Sequence, residues 1–283
     1  PKHRVTAEQA WNQGRKIIAN AVNELNSGLD HSNLPVQKDF HQDNNAPSNL
    51  TKSEFYSSVE KAKEYIKSGD VYQVVLSQRF EIPFKKSSIS FYRSLRRLNP
   101  SPFLFHFNFG DFYVVGSSPE ILVRLRDNEC TIRPIAGTRP RGKNKIEDLK
   151  LKEELLNDPK ERSEHLMLLD LGRNDVGRVS KPGTVEVTES FSVEMYSHVM
   201  HIESEVKGEL RGELDSLDAL IAGFPAGTVS GAPKIRAMQI IEELETERRG
   251  IYSGAVGYFS ASGDFCLLYT SPSPRDRQKS RMP

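Results

Sequence analysis

Four stretches of this chain combine residue types and spacings that could do chemistry. The first is Pro134-Ile135-Ala136-Gly137-Thr138-Arg139-Pro140-Arg141-Gly142, a strand-like run opening into a basic Gly/Pro loop. Such a loop offers backbone N–H groups and guanidinium forks to a carboxylate; a solvated turn with scattered charge fits the same residues. The second is Asp158 to His165, where Glu161 and Glu164 stand three apart and so share one helix face. Two hard oxygen donors one turn apart suit Mg²⁺, which completes its shell with water and substrate. Glu161 would equally complete a capping box with Asp158, and His165 reads as a structural histidine. The third is Tyr196-Ser197-His198-Val199-Met200-His201-Ile202. On a strand His201 shares a face with Val199, while His198 and Met200 point the other way. A histidine can move protons near neutral pH, though a packing role also fits. The fourth is Phe224 to Lys234, a Gly-rich turn running into a helix, where free N–H groups and the helix dipole favour an anion. It lacks the spacing of a Walker loop, and ordinary helix entry fits it too. Together the four indicate a small anionic molecule bound with Mg²⁺.

The elements that must position these residues are legible from periodicity. Ala10, Ile17, Ile18, Val22 and Leu25 recur at helical spacing, with Gly28 as a stop. Residues 31–50 read as a loop or linker. Thr51 and Glu54 form a capping box for a second helix, with Phe55, Val59, Ala62 and Ile66 as its buried stripe. Val71 to Phe80 alternates as a strand, placing Gln73, Ser77 and Arg79 on its polar face. From 103 to 135 the pattern is an antiparallel meander, with turns at Gly110-Asp111 and Asp127-Asn128. Helices are expected at 147–157 and 159–172, the latter capped by Asp158 with Pro159 at its first position. Strands are expected within 184–206, and a helix from Pro233 to Leu244 with Ile235, Met238, Ile241 and Leu244 inward. The fold class is α+β.

Set beside known families, the chain resembles the chorismate-utilising enzymes, and among them the synthase component of anthranilate synthases. The resemblance rests on Gly69 to Phe80, Asn99-Pro100-Ser101-Pro102, Ser118-Pro119-Glu120, Ile135 to Gly142, Asp158 to Val179, Met200-His201, Pro225 to Met238 and Arg249 to Tyr258. It covers roughly residues 48–265. It implies two packed antiparallel β-sheets flanked by helices, with the site in a cleft. It also implies catalytic roles for His201, Thr228 and Glu120, and substrate contacts from Gly137, Thr138, Tyr252 and Gly227. Glu161 and Glu164 correspond to half of the family's Mg²⁺ ligands, and Pro102 and Phe103 to a wall of its tryptophan-inhibitor pocket. Relatives that add water to chorismate place a lysine base where this chain has Gln73. Aminodeoxychorismate synthases commonly carry a nucleophilic lysine where it has Ala136. With neither lysine present, the resemblance implies conversion of chorismate and ammonia to anthranilate and pyruvate, with the ammonia from a glutamine amidotransferase subunit. The alternatives are an aminodeoxychorismate synthase component and a non-catalytic chorismate-binding relative.

Composition bounds these readings. The 283 residues are 37% hydrophobic and 27% charged, with a net charge of +1. That is the balance of a soluble globular chain, without a broad field for nucleic acid or an anionic membrane surface. No apolar run reaches membrane-spanning length and no signal-peptide core is visible. Cys130 and Cys266 cannot build a disulfide framework or a four-thiolate zinc site. A cytoplasmic enzyme is expected. The expected divisions are 1–47, the remnant of an N-terminal segment with a linker; 48–265, a chorismate-binding catalytic domain incomplete at its C-terminus; and 266–283, a tail unlike the family, disordered in composition and similar to a translated sequencing adaptor. On that reading the chain as written makes no measurable anthranilate.

Overall fold

Short-range chemistry sets the strand connections. Asp127 and Asn128 both take left-handed φ values, +51° and +63°, the two-residue turn that matches hairpin twist and that Asp and Asn tolerate best. They join β4 (Ile121–Arg126) to β5 (Glu129–Ile132). The computed structural model describes residues 6–27, 46–196 and 198–269. The Gly28 stop, the linker over 31–45 and the tail from Thr270 lie outside them. Helix α1 (Ala7–Asn26) carries a Thr6–Gln9 capping box and buries none of its residues; it belongs to a separate unit, Pro1–Asn45.

In the second unit, an antiparallel sheet of seven strands runs in the order β10 (Ala255–Phe259), β11 (Phe265–Tyr269), β4, β5, β8 (Val199–Glu209), β6 (Ile135–Pro140), with β7 (Glu186–Met195) also paired to β8. Strand β8 is long enough to take β5 beside its residues 206–209 and β6 beside 199–203. Helices α4 (Lys145–Asn157), α5 (Pro159–Gly177) and α6 (Ser216–Gly223) flank it. The main core, which includes Leu122, Val123, Val176, Val206 and Phe265, lies between sheet and helices, and Leu155, Met200 and Ile202 form a smaller cluster under α4. This is the expected α+β class, an antiparallel sheet flanked by helices. The expected second sheet is present among the described residues only as two ladders, β1 (Gln73–Val74) with β9 (Gly231–Ala232) and β2 (Phe103–Asn108) with β3 (Tyr113–Ser118).

Several local expectations change. The strand expected over 71–80 shrinks to two ladder residues. In the antiparallel register the residues after Val75 would face Gly227–Val229, which wind into a 3₁₀ turn instead of a strand, and Arg79 and Phe80 turn instead to Asn49 and Ser48. Helix α3 (Ser88–Leu98) was not expected, and neither was α6. In α2 (Lys52–Lys67) the capping box holds, but only Ala62 of the expected stripe is fully buried. In α7 (Lys234–Leu244) the inward stripe is Lys234, Ala237, Ile240 and Leu244, leaving Ile235 59% exposed. The cause is close approach: a Cβ on Gly231 would stand 2.1 Å from Gln73 O and 3.0 Å from Ala237 Cβ. Only glycine at 231 and a small residue at 237 let the helix seat against β1.

Cys130 is buried in β5, and burial pushes its thiol up to about 12. We expect the folded chain at pH 8 to resist alkylation at Cys130 and to take it up fully after denaturation, read by peptide mass mapping. Rapid labelling of the native chain would contradict this burial.

Candidate active site

Strand β6 is the centre of the candidate site because it carries an irregularity. Its register against β8 slips between Ala136 and Thr138, making Gly137 the extra residue of a bulge at φ +70°. The bulge aims Gly137 O at His201, whose Nδ1 lies 3.0 Å from that carbonyl and 3.1 Å from Thr138 Oγ1. A carbonyl only accepts, so Nδ1 carries the proton and the lone pair of the neutral ring is at Nε2. The ring packs T-shaped against Tyr196, whose Oη donates to Glu203 Oε1 at 2.5 Å. Glu203 in turn pairs with Arg133 at 2.9 Å. Burial raises the Glu203 carboxyl above the usual carboxylate range.

Helix α5 brings its carboxylates to the same place. Asp158 caps it, accepting from the N–H groups of Lys160 and Glu161. The N–H of Glu161 and then the Arg139 guanidinium hold the Asp158 carboxyl below its ordinary range. Arg139 spans Asp158 Oδ2 at 2.7 Å and Glu161 Oε1 at 3.3 Å. A Cβ on Gly137 would stand 3.3 Å from Glu161 Oε2 and 3.2 Å from both Ile202 and Leu155 side chains. Gly137→Ala therefore meets a disfavoured φ and three close neighbours. It is expected to cost about 1–3 kcal/mol of stability, measured by denaturant unfolding, and an unchanged midpoint would show that the bulge is not constrained.

Glu161 is thus buried beside Gly137, while Glu164, one turn on, accepts from Gln73 Nε2 at 3.3 Å. Glu164 and Gln73 line a cleft of about 1310 Å³ between α5 and the start of α7. Glu120, Gly227 and Thr228 line a separate cavity of about 40 Å³, where Thr228 Oγ1 is buried with no hydrogen-bond partner among the described residues. Asp175 lines both. Tyr252 packs on the main core with the Arg249 guanidinium over its ring. Pro102 is exposed, and Phe103 begins the β2–β3 ladder opposite Ser118, whose hydroxyl bonds the backbone of Glu120. So Gly137, Thr138, His201 and Glu161 converge directly. Glu120, Gly227 and Thr228 form a second group, which Phe103 adjoins through Ser118, whereas Pro102 and Tyr252 line neither of the two cavities. His165 is buried and donates to or accepts from Ser204 Oγ at 2.7 Å, and burial pushes it down to about 4, in keeping with a structural role.

Two functional-looking contacts were not anticipated. Arg139 is a fork for α5 carboxylates. Lys234, expected at an anion site, turns inward to donate to Asp175 Oδ2 at 2.7 Å and Gly223 O at 3.0 Å. Each joins residues far apart in sequence, so no local pattern marks it. Among the described residues no group of three His, Cys, Asp or Glu side chains converges as a complete metal cage. Glu161 and Glu164 still fit Mg²⁺ in donor type and spacing, because Mg²⁺ binds through one or two carboxylates and keeps water and substrate oxygens. No described helix is long and apolar enough to cross a membrane.

The site thus brings together a basic strand bulge, a histidine on the neighbouring strand and carboxylates on the adjoining helix. The chain belongs to the chorismate-binding enzyme family, whose sequence profile matches residues 2–269. It is 56% identical over 277 residues to anthranilate synthase component 1 of Cereibacter sphaeroides, covering 96% of this chain and 54% of that protein. It is 54% identical over 274 residues to the component 1 of Aquifex aeolicus, covering 95% and 55%. The crystal structure of anthranilate synthase component I from Streptococcus pneumoniae superposes with a TM-score of 0.80 at 42% identity, covering 95% of this chain and 58% of that one. The chain spans about half the length of the curated relatives it matches.

Proposed function

We propose that this chain is the chorismate-binding portion of an anthranilate synthase component 1, which converts chorismate and ammonia to anthranilate and pyruvate in tryptophan biosynthesis in the cytoplasm. The observation that carries the reading is the convergence of Gly137, Thr138, His201 and Glu161 through the β6 bulge. The high identity to component 1 proteins supports it.

In this reading ammonia adds to the ring, the ring hydroxyl leaves, and pyruvate is eliminated. Aromatising the ring requires removal of one ring proton, a task for His201 Nε2, since Nδ1–H is committed to Gly137 O. Gly137, Thr138, Gly227 and Tyr252 hold the substrate, and Thr228 and Glu120 act about the ring and its enolpyruvyl group. Glu161 and Glu164 hold Mg²⁺, which when bound supplies positive charge for a substrate carboxylate. Gln73 stands where water-adding relatives place a lysine base, and ammonia needs none. Ammonia comes from a glutamine amidotransferase subunit, Pro102 and Phe103 belong to an inhibitor pocket, and the β1–β9 and β2–β3 ladders are parts of a second sheet.

The test uses a chimera in which the segments this chain does not span come from the Cereibacter sphaeroides relative. With chorismate, Mg²⁺ and ammonium, anthranilate fluorescence is expected to rise steadily, and glutamine alone is expected to give none. An aminodeoxychorismate product, or chorismate binding without turnover, would overturn the assignment in favour of a folate-pathway synthase or a non-catalytic binder.

A further inference from the structure

A buried carboxylate must be compensated, and Glu161 is only 3% exposed. Its Oε1 faces Arg139 and its Oε2 lies on the Gly137 side. The Arg139 contacts are unequal. The fork meets Asp158 Oδ2 at 2.7 Å and Thr138 O at 3.0 Å, but Glu161 Oε1 at 3.3 Å. Asp158 is itself fixed by the first N–H groups of α5. Arg139 can therefore give up Glu161 and keep its two shorter bonds, without leaving its place.

We propose that Arg139 is an exchangeable internal counter-ion for Glu161, competing with the divalent cation for that carboxylate and acting as a positioning residue for the metal site. The inference rests on the reading of Glu161 as a metal ligand. Arg139 neutralises Glu161 and keeps it aimed beside Gly137, and the cation takes the carboxylate when the guanidinium shifts wholly onto Asp158 and Thr138 O. The exchange trades one ionic partner for another, so Glu161 is never left buried and uncompensated. The consequence is a metal affinity held below what the carboxylates alone would give.

The experiment measures Mn²⁺ binding by electron paramagnetic resonance and Mg²⁺ binding by calorimetry on the chimera described above, taken here as the native chain, with thermal melts to verify folding. Arg139→Gln is expected to tighten both metals by about five- to tenfold and to melt lower than the native chain without metal, with the loss recovered on adding Mg²⁺. Arg139→Lys, which keeps the charge but not the fork, is expected to fall between. Arg162→Gln removes an equal charge next to Glu161 in sequence, from a side chain that bonds Leu156 O instead, and is expected to leave affinity within twofold. If Arg139→Gln binds metal equally or more weakly while Glu161→Gln abolishes binding, the counter-ion proposal fails and the ligand reading stands. An equal gain in Arg162→Gln would also overturn it, by showing a general charge effect. If Glu161→Gln binds as well as the native chain, or neither chain binds metal, the ligand reading fails and the proposal with it.

Discussion

Replacing His201 by Asn in the chimera is expected to lower ammonia-dependent anthranilate formation by about 10²–10⁴-fold, the usual contribution of a positioned acid–base group. The magnitude follows from how tightly the ring is placed. Its Nδ1–H is shared by Gly137 O and Thr138 Oγ1, its ring packs T-shaped against Tyr196, and Glu203 and Arg133 hold Tyr196 in turn. Asn can still donate to Gly137 O, so the fold should survive and the melting temperature should move little. What it lacks is a basic ring nitrogen at the Nε2 position. The loss should therefore appear in kcat, with chorismate binding nearly intact. Turnover within a fewfold of the parent would remove His201 from the proton-transfer role.

The largest stability effect is expected at Lys234. Its ammonium and the Asp175 carboxylate are both almost fully buried and 2.7 Å apart, with Gly223 O as a further acceptor. Burial pushes the Asp175 carboxyl up, and Lys234 opposes that shift. Lys234→Met leaves the carboxylate unpaired next to Leu168, Leu171 and Gly172 in the wall of the small cavity. Breaking a buried pair from one side costs about 3–5 kcal/mol, and the denaturant midpoint should fall accordingly. Replacing both partners, Asp175→Leu with Lys234→Met, should recover most of the loss, since apolar residues of similar volume carry no desolvation cost. A single mutant near native stability would show that water reaches the pair. Because Asp175 also lines the 1310 Å³ cleft, the single mutant should loosen the seam between α5 and α7.

Local interactions explain what the sequence by itself determined. The Asp127-Asn128 hairpin, the capping box at Thr51, the Asp158 cap with Pro159 and the α5 glutamates one turn apart all depend on residues within four positions of each other. Such signals need no tertiary partner. The family could also be read, because its functional segments lie in order along the chain. Tertiary structure decided everything that depends on which distant backbone lies alongside. The strand at 71–80 kept only two ladder residues because the chain facing its later residues, Gly227–Val229, winds into a 3₁₀ turn. The α7 helix turned Ala237 and Lys234 inward, against its larger apolar residues, because Gly231 brings it onto β1 and Asp175 waits there for a cation. The fork of Arg139 on Asp158 and Glu161 spans about twenty residues of sequence, and the meeting of Gly137 with His201 spans 64. Helical and strand periods say which face a side chain occupies; only the register of β6 on β8, set by one bulge, says what it meets there.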